Sequence, residues 1–148
     1  MWPTVIHILL ADDDIDDCLF FEEALKELPI GTSLQTVNDG EQLMDVLGSH
    51  PAPMPDVVFL DLNMPRKTGY ECLAAIKGNA HLKDLSIVII STSLNHHMTE
   101  WLYEKGALRY IRKPGDFSKL KKAIFEALTI TVFNHAQDRT KDNFIIEG

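Results

Sequence analysis

Val5-Ile6-His7-Ile8-Leu9-Leu10-Ala11-Asp12-Asp13-Asp14 is the stretch on which the fold turns. A short, nearly unbroken apolar run that stops abruptly at acids reads as a strand buried on both faces, with its carboxylates at the mouth. The same arrangement recurs along the chain. Val57-Val58-Phe59-Leu60 ends at Asp61, Ile87-Val88-Ile89-Ile90 ends at Ser91, and Tyr110-Ile111-Arg112 runs into Lys113. Helical segments lie between these runs, so the strands are expected to be parallel. In an open parallel sheet, ligands bind outside the carboxyl ends of the strands. Asp12, Asp13, Asp61, Ser91 and Lys113 should therefore meet at one edge. A carboxylate cluster with one lysine is a site for a metal ion and a phosphoryl group.

Working outward, five strands alternate with five helices. The strands are expected at Ile6–Ala11, Ser33–Val37, Val57–Leu60, Ser86–Ile90 and Arg109–Ile111. Ser33–Val37 is the most polar of them, which suits a sheet border. The helices are expected at Asp16–Leu28, Glu41–Gly48, Gly69–Asn79 and Asn95–Lys105, with a last one opened by Asp116. Apolar residues at three- and four-residue steps support them: Cys18, Phe21, Leu25 and Leu28 in the first, Phe117, Leu120, Ile124 and Leu128 in the last. Pro51, Pro53 and Pro55 mark an exposed loop. The tail from His135 to Gly148 is polar and without periodicity, although Phe144-Ile145-Ile146 could dock somewhere. The organisation expected is one domain over residues 5–130 and an extension over 131–148 that begins with the end of the last helix.

Composition narrows the function. A chain of 148 residues is long enough for one domain with a core and short for two. A net charge of −8 argues against nucleic-acid binding, which needs a basic face. No apolar run approaches the ~20 residues of a membrane span, and no basic segment precedes the first apolar stretch as in a signal peptide. Cys18 and Cys72 both fall in helices and are expected as free thiols. A cytoplasmic protein is expected.

The ordered set of motifs resembles the response-regulator receiver domains of two-component signalling, similar to the bacterial chemotaxis regulator. The resemblance covers about residues 5–130 and rests on Leu9-Leu10-Ala11-Asp12-Asp13-Asp14, Asp61-Leu62-Asn63-Met64-Pro65 with Gly69, Ser91-Thr92, and Tyr110-Ile111-Arg112-Lys113-Pro114. Arg66-Lys67-Thr68-Gly69 after the proline is similar to single-domain regulators, including those associated with phytochromes. The resemblance implies a flavodoxin-like α/β fold, a doubly wound five-stranded parallel sheet in the order 2-1-3-4-5 with helices on both faces.

It also implies roles. Asp61 is the phosphoacceptor, a carboxylate that attacks phosphorus to form an acyl phosphate. Clustered carboxylates repel one another unless a cation sits among them, and Mg²⁺ takes a few carboxylate oxygens plus waters. Asp13 and Asp61 are implied as side-chain ligands, Asp12 as a ligand through water, and Asn63 through its backbone carbonyl. Lys113 supplies a point charge to a phosphoryl oxygen and Ser91 a hydroxyl. Asn63 and Ser93 flank the path of hydrolytic water and bring no acid or base. Ser91 and Tyr110 form the switch: Ser91 moves to the phosphoryl group and Tyr110 rotates into the space left. The donor would be a histidine kinase or a histidine phosphotransfer protein. Output to an unidentified protein, or to a homodimer, is expected through the fourth helix, fifth strand and fifth helix, where Trp101 and Tyr103 suit an interface. With no room for an output domain after residue 130, the signal is expected to leave by protein contact or onward phosphotransfer.

Other readings of the same residues carry less. Asp14, Asp16 and Asp17 read as acids at a helix start, which caps and dipole favour. Asp12, Asp14, Asp16 and Glu23 mimic calcium-loop spacing, but Asp17 stands where glycine is needed and a strand precedes. His96 and His97, adjacent on a helix, point apart and read as a solvated helix start. An aspartate-nucleophile phosphohydrolase would need an acid two residues after Asp61, and Asn63 stands there. A flavin-binding module would need a hydroxyl-rich phosphate loop after the first strand, where three acids stand instead.

Overall fold

A computed structural model describes residues 2–49, 53–133 and 138–147. Its elements in chain order are β1 (Ile6–Ala11), α1 (Ile15–Lys26), β2 (Thr32–Val37), α2 (Gly40–Gly48), β3 (Val57–Leu60), α3 (Gly69–Lys77), β4 (Ser86–Ser91), α4 (His96–Glu104), β5 (Arg109–Arg112), α5 (Phe117–Val132) and β6 (Ile145–Ile146). The strands form one sheet in the order β2-β1-β3-β4-β5-β6, and every neighbouring pair is parallel. The expected five-stranded sheet thus has six strands: Ile145 and Ile146 of the tail dock as a short strand on β5. Pro51 and residues 135–137 of the tail lie outside the described residues, whereas Pro53 is exposed as expected of that loop.

Side chains alternate across the sheet and divide the core in two. Ile6, Ile8 and Leu10 of β1 pack with Phe21, Ala24 and Leu25 of α1 and with Ala123, Ile124 and Leu128 of α5. Leu9 and Ala11 face the other way, with Leu43 and Leu47 of α2, Leu73 and Ile76 of α3 and Leu102 of α4. Helices therefore cover both faces, which is what a parallel sheet of continuous apolar strands requires. The border strand β2 alternates between partly covered and exposed residues until Val37, in keeping with its polar sequence.

Each helix start is chemically specified. Asp14, Asp39, Thr68, Asn95 and Asp116 cap α1 to α5 by accepting backbone N–H groups of the first turn. Thr68 and Glu71 complete a capping box. Gly69 is required at its position: a Cβ there would collide with the Asp61 carbonyl oxygen and lie 2.7 Å from Leu62 Cα. The start of α3 is thereby pressed against the backbone that carries Asp61.

Candidate functional site

Strand register assembles the site. Ala11 is paired with Leu60, so the residues that follow, Asp12 and Asp61, emerge side by side; the Asp61 N–H donates to the Ala11 carbonyl at 2.9 Å. Ser91 is paired with Arg112, and the Lys113 N–H donates to the Ser91 carbonyl at 2.7 Å. One sheet edge thus gathers Asp12, Asp61, Ser91 and Lys113 from four strands. Asp12 keeps the parity of Ile6, Ile8 and Leu10 and is 2% exposed. Asp13, one residue on, is exposed.

One carboxylate oxygen each from Asp12, Asp13 and Asp61 lie within 4.8 Å of one another. The donor set fits a hard divalent cation, which takes oxygen ligands and keeps waters where the protein leaves room; the exposed Asp13 side leaves that room. Asn63 follows on the exposed loop after β3. Burial of Asp61, which is 5% exposed, pushes its carboxyl up to about 7, with Lys113 pulling it down, Asp12 pushing it up and the Asn63 backbone N–H pulling it down. A buried acid held this far from its ordinary range marks a site that a cation would relieve.

Lys113 stands between three carboxylates. Its Nζ lies 2.8 Å from Asp12 Oδ2, 2.8 Å from Asp17 Oδ2 and 3.7 Å from Asp61 Oδ2. Burial opposes its charge, but the hydrogen bonds to Asp12 and Asp17 outweigh that and raise its pKa above the usual lysine value. Asp17 is therefore more than a helix-start acid, which corrects the expectation. Asp14 caps α1 by itself, accepting the Asp17 N–H at 3.0 Å, and this leaves the Asp17 carboxylate free to reach Lys113. Three acids follow Asp13 before Cys18 and one cap suffices for one helix, but nothing in the sequence says which of the other two faces a lysine.

Ser91 and Tyr110, expected to form the switch, lie together as well. Ser91 is fully buried, whereas Thr92 is exposed. The Ser91 and Ser93 hydroxyls are 3.3 Å apart, and the Tyr110 hydroxyl donates to the Ser93 carbonyl oxygen. Tyr110 is 2% exposed, so it already points inward here, where the sequence suggested a rotation into that place. Of the remaining singled-out residues, His96 and His97 are exposed at the start of α4, and Cys18 and Cys72 are free thiols whose pKa burial pushes up to about 11. No helix among the described residues is long and apolar enough to cross a membrane.

The apolar triplet of the tail docks, and Arg139 adds contacts that sequence reasoning did not anticipate. Tyr103, expected as an open interface residue, carries the Arg139 guanidinium 3.8 Å over its ring and the Phe144 ring at 5.5 Å. Arg139 donates to the carbonyls of Ala107, at 2.8 Å, and Tyr103. The Tyr110 N–H donates to the Phe144 carbonyl at 2.9 Å. Part of the α4–β5 face is therefore covered by the chain's own extension.

Comparison with known proteins bears on the fold and the family. Response regulator Rcp1 of Synechocystis sp. is 35% identical over 121 residues, covering 79% of this chain and 82% of its own length. The phosphorylated cyanobacterial phytochrome response regulator RcpA superposes with a TM-score of 0.77 at 31% identity, covering 88% of this chain and 95% of that one. The Mn(2+)-bound form of Rcp1 superposes with a TM-score of 0.73 at 32% identity, over 93% and 98%. The profile of the response regulator receiver domain matches residues 8–125. With that match over most of its length, the chain belongs to the response regulator receiver domain family, whose members signal through phosphorylation of an aspartate.

Proposed function

We propose that this protein is a phosphoacceptor of two-component signalling, with Asp61 as the residue that takes the phosphoryl group from a histidine kinase or histidine phosphotransfer protein. The observation that carries the reading is the register that sets the Asp61 carboxylate beside Asp12 and 3.7 Å from the Lys113 ammonium. A carboxylate oxygen of Asp61 forms the new bond to phosphorus as the bond to the donor imidazole breaks. Phosphoryl transfer asks for alignment and charge neutralisation more than covalent help. Lys113 offers a cation to one phosphoryl oxygen and Ser91 a hydroxyl to another. Asp12, Asp13 and Asp61, with the Asn63 carbonyl, would hold Mg²⁺, which neutralises the charge gathering on the phosphoryl oxygens. Asn63 and Ser93 bring neither acid nor base, which favours a long-lived phosphoprotein. The reading is of a signalling domain of the cytoplasm that turns over no substrate but its own phosphoryl group, with residues 5–130 as its working unit.

Output would leave through Ser91, Ser93 and Tyr110 to α4, β5 and α5, toward a partner protein, an onward phosphotransfer or a second copy of the chain. The likeness to a phytochrome response regulator supports a phytochrome-type kinase as the donor. Incubating the protein with acetyl phosphate and Mg²⁺ should give a single phosphoryl adduct by mass spectrometry, and Asp61→Asn should give none. An adduct that persists in the variant would refute the assignment.

A further inference from the structure

Lys113 does not share itself equally among its three carboxylates. Asp12 and Asp17 both lie in close ion-pair contact at 2.8 Å, and the ammonium donates a charge-assisted hydrogen bond to Asp17, whereas Asp61 at 3.7 Å lies outside that range. The two held oxygens differ in how firmly they are fixed. The Asp12 side chain is 3% exposed, and its other oxygen accepts the Asp14 N–H at 3.0 Å. The Asp17 side chain is 39% exposed and stands outside the Asp12, Asp13 and Asp61 cluster. Beside this trio, Phe20, Phe21, Ile90, Pro114 and Leu120 line a cavity of about 30 Å³, which leaves slack along the lysine stem.

We propose that Asp17 is a positioning residue that holds the Lys113 ammonium on the α1 side of the pocket, away from Asp61, until a phosphoryl group draws it across. The inference rests on Asp61 as the phosphoacceptor. The Asp17 carboxylate and phosphoryl oxygens on Asp61 draw the same ammonium group toward different sides of the pocket. Asp12, buried, cannot release its partner without stranding a charge, but water can replace Lys113 at the exposed Asp17 at small cost. Asp17 is thus the contact that yields, and its strength sets how readily Lys113 advances.

The test is the affinity for beryllofluoride, a phosphoryl mimic, at saturating Mg²⁺, in wild type, Asp17→Asn, Asp17→Glu and Asp16→Asn. Asp16 is exposed in the same turn and controls for the loss of one negative charge. Asp17→Asn should tighten beryllofluoride about three- to fivefold, the scale of a partly exposed ion pair, with Asp16→Asn well below that. Asp17→Glu, which restores a carboxylate, should return the affinity to near the wild-type value. A purely structural role would move the melting temperature and leave this ordering flat. Equal affinities in Asp17→Asn and Asp16→Asn, or weaker binding in Asp17→Asn, would overturn the positioning role while leaving Asp61 in place. A wild-type protein that takes up no beryllofluoride would overturn the Asp61 reading and this inference with it.

Discussion

In the proposed role Asp61 carries opposed demands, because the burial that would shield an acyl phosphate also penalises the free carboxylate. Its carboxyl, pushed up to about 7 by burial, sits above its ordinary value, so folding favours the protonated form. The site then costs no stability below about pH 4, costs progressively more as pH rises toward 7, and exerts its full cost above that. Metal-free Asp61→Asn should consequently melt higher than wild type at pH 8, by about 3 °C or more, and match it at pH 4. Melting curves of the two proteins that run parallel across that interval would contradict the buried-carboxylate account. Metal binding discriminates between neighbours: Asp13 offers an oxygen to the cluster, whereas Asp14 spends its carboxylate on the α1 cap. Calorimetry should show Asp13→Ala weakening Mg²⁺ by tenfold or more, about 1.4 kcal/mol, and Asp14→Ala changing it little while costing stability of roughly 1 kcal/mol as a lost cap. Equal losses of Mg²⁺ affinity would remove the distinction. The cluster itself was legible in the sequence because each member ends an apolar run. Asp17 was not, because a helix-start acid looks the same whether its carboxylate faces water or a lysine 96 residues away.

Among the elements, the turn between β3 and α3 is the tightest joint at the site. Arg66 adopts a left-handed φ of 69°, unusual for a residue with a side chain. Its guanidinium lies 3.5 Å from Asp39 and 3.8 Å from Glu41, tying the turn to the start of α2. Gly69 then lets α3 begin against the Asp61 backbone. Gly69→Ala should therefore cost about 2 kcal/mol or more through backbone displacement, and metal affinity should fall with it because Asp61 moves. A variant with wild-type melting and wild-type metal affinity would show that α3 can retreat freely. Element positions followed from the sequence wherever an apolar run or a helical stripe was long enough to repeat, as in β1, β3 and α5. β6 has only two residues, Ile145 and Ile146. No periodicity can reveal a strand that short, and its place was set by the bare edge of β5.

Across the whole molecule, the tail joins Tyr110 to α4, the residue and the face proposed to carry the output. Phe144 is 3% exposed, its carbonyl holds the Tyr110 N–H, and Lys141 pairs with Glu100 of α4 at 2.9 Å. A phosphoryl group on Asp61 would offer Ser91 a charged acceptor worth roughly 1.5–3 kcal/mol, enough to shift a two-state population more than tenfold. Amide NMR with beryllofluoride should accordingly show shift changes that reach residues 95–128 and continue into 139–146. Changes confined to the loops around Asp61 would exclude this route. The same tail has a second consequence, for behaviour in concentrated solution. The β2 border of the sheet is polar and half open, and the other border ends in two residues, too short to template an added strand. Without residues 138–147, the Tyr110–Ile111 edge of β5 would present unpaired backbone groups flanked by apolar side chains. That is the pattern that recruits other chains into edge-to-edge aggregates. Wherever the extension stays docked, it withholds that edge of β5 from other chains.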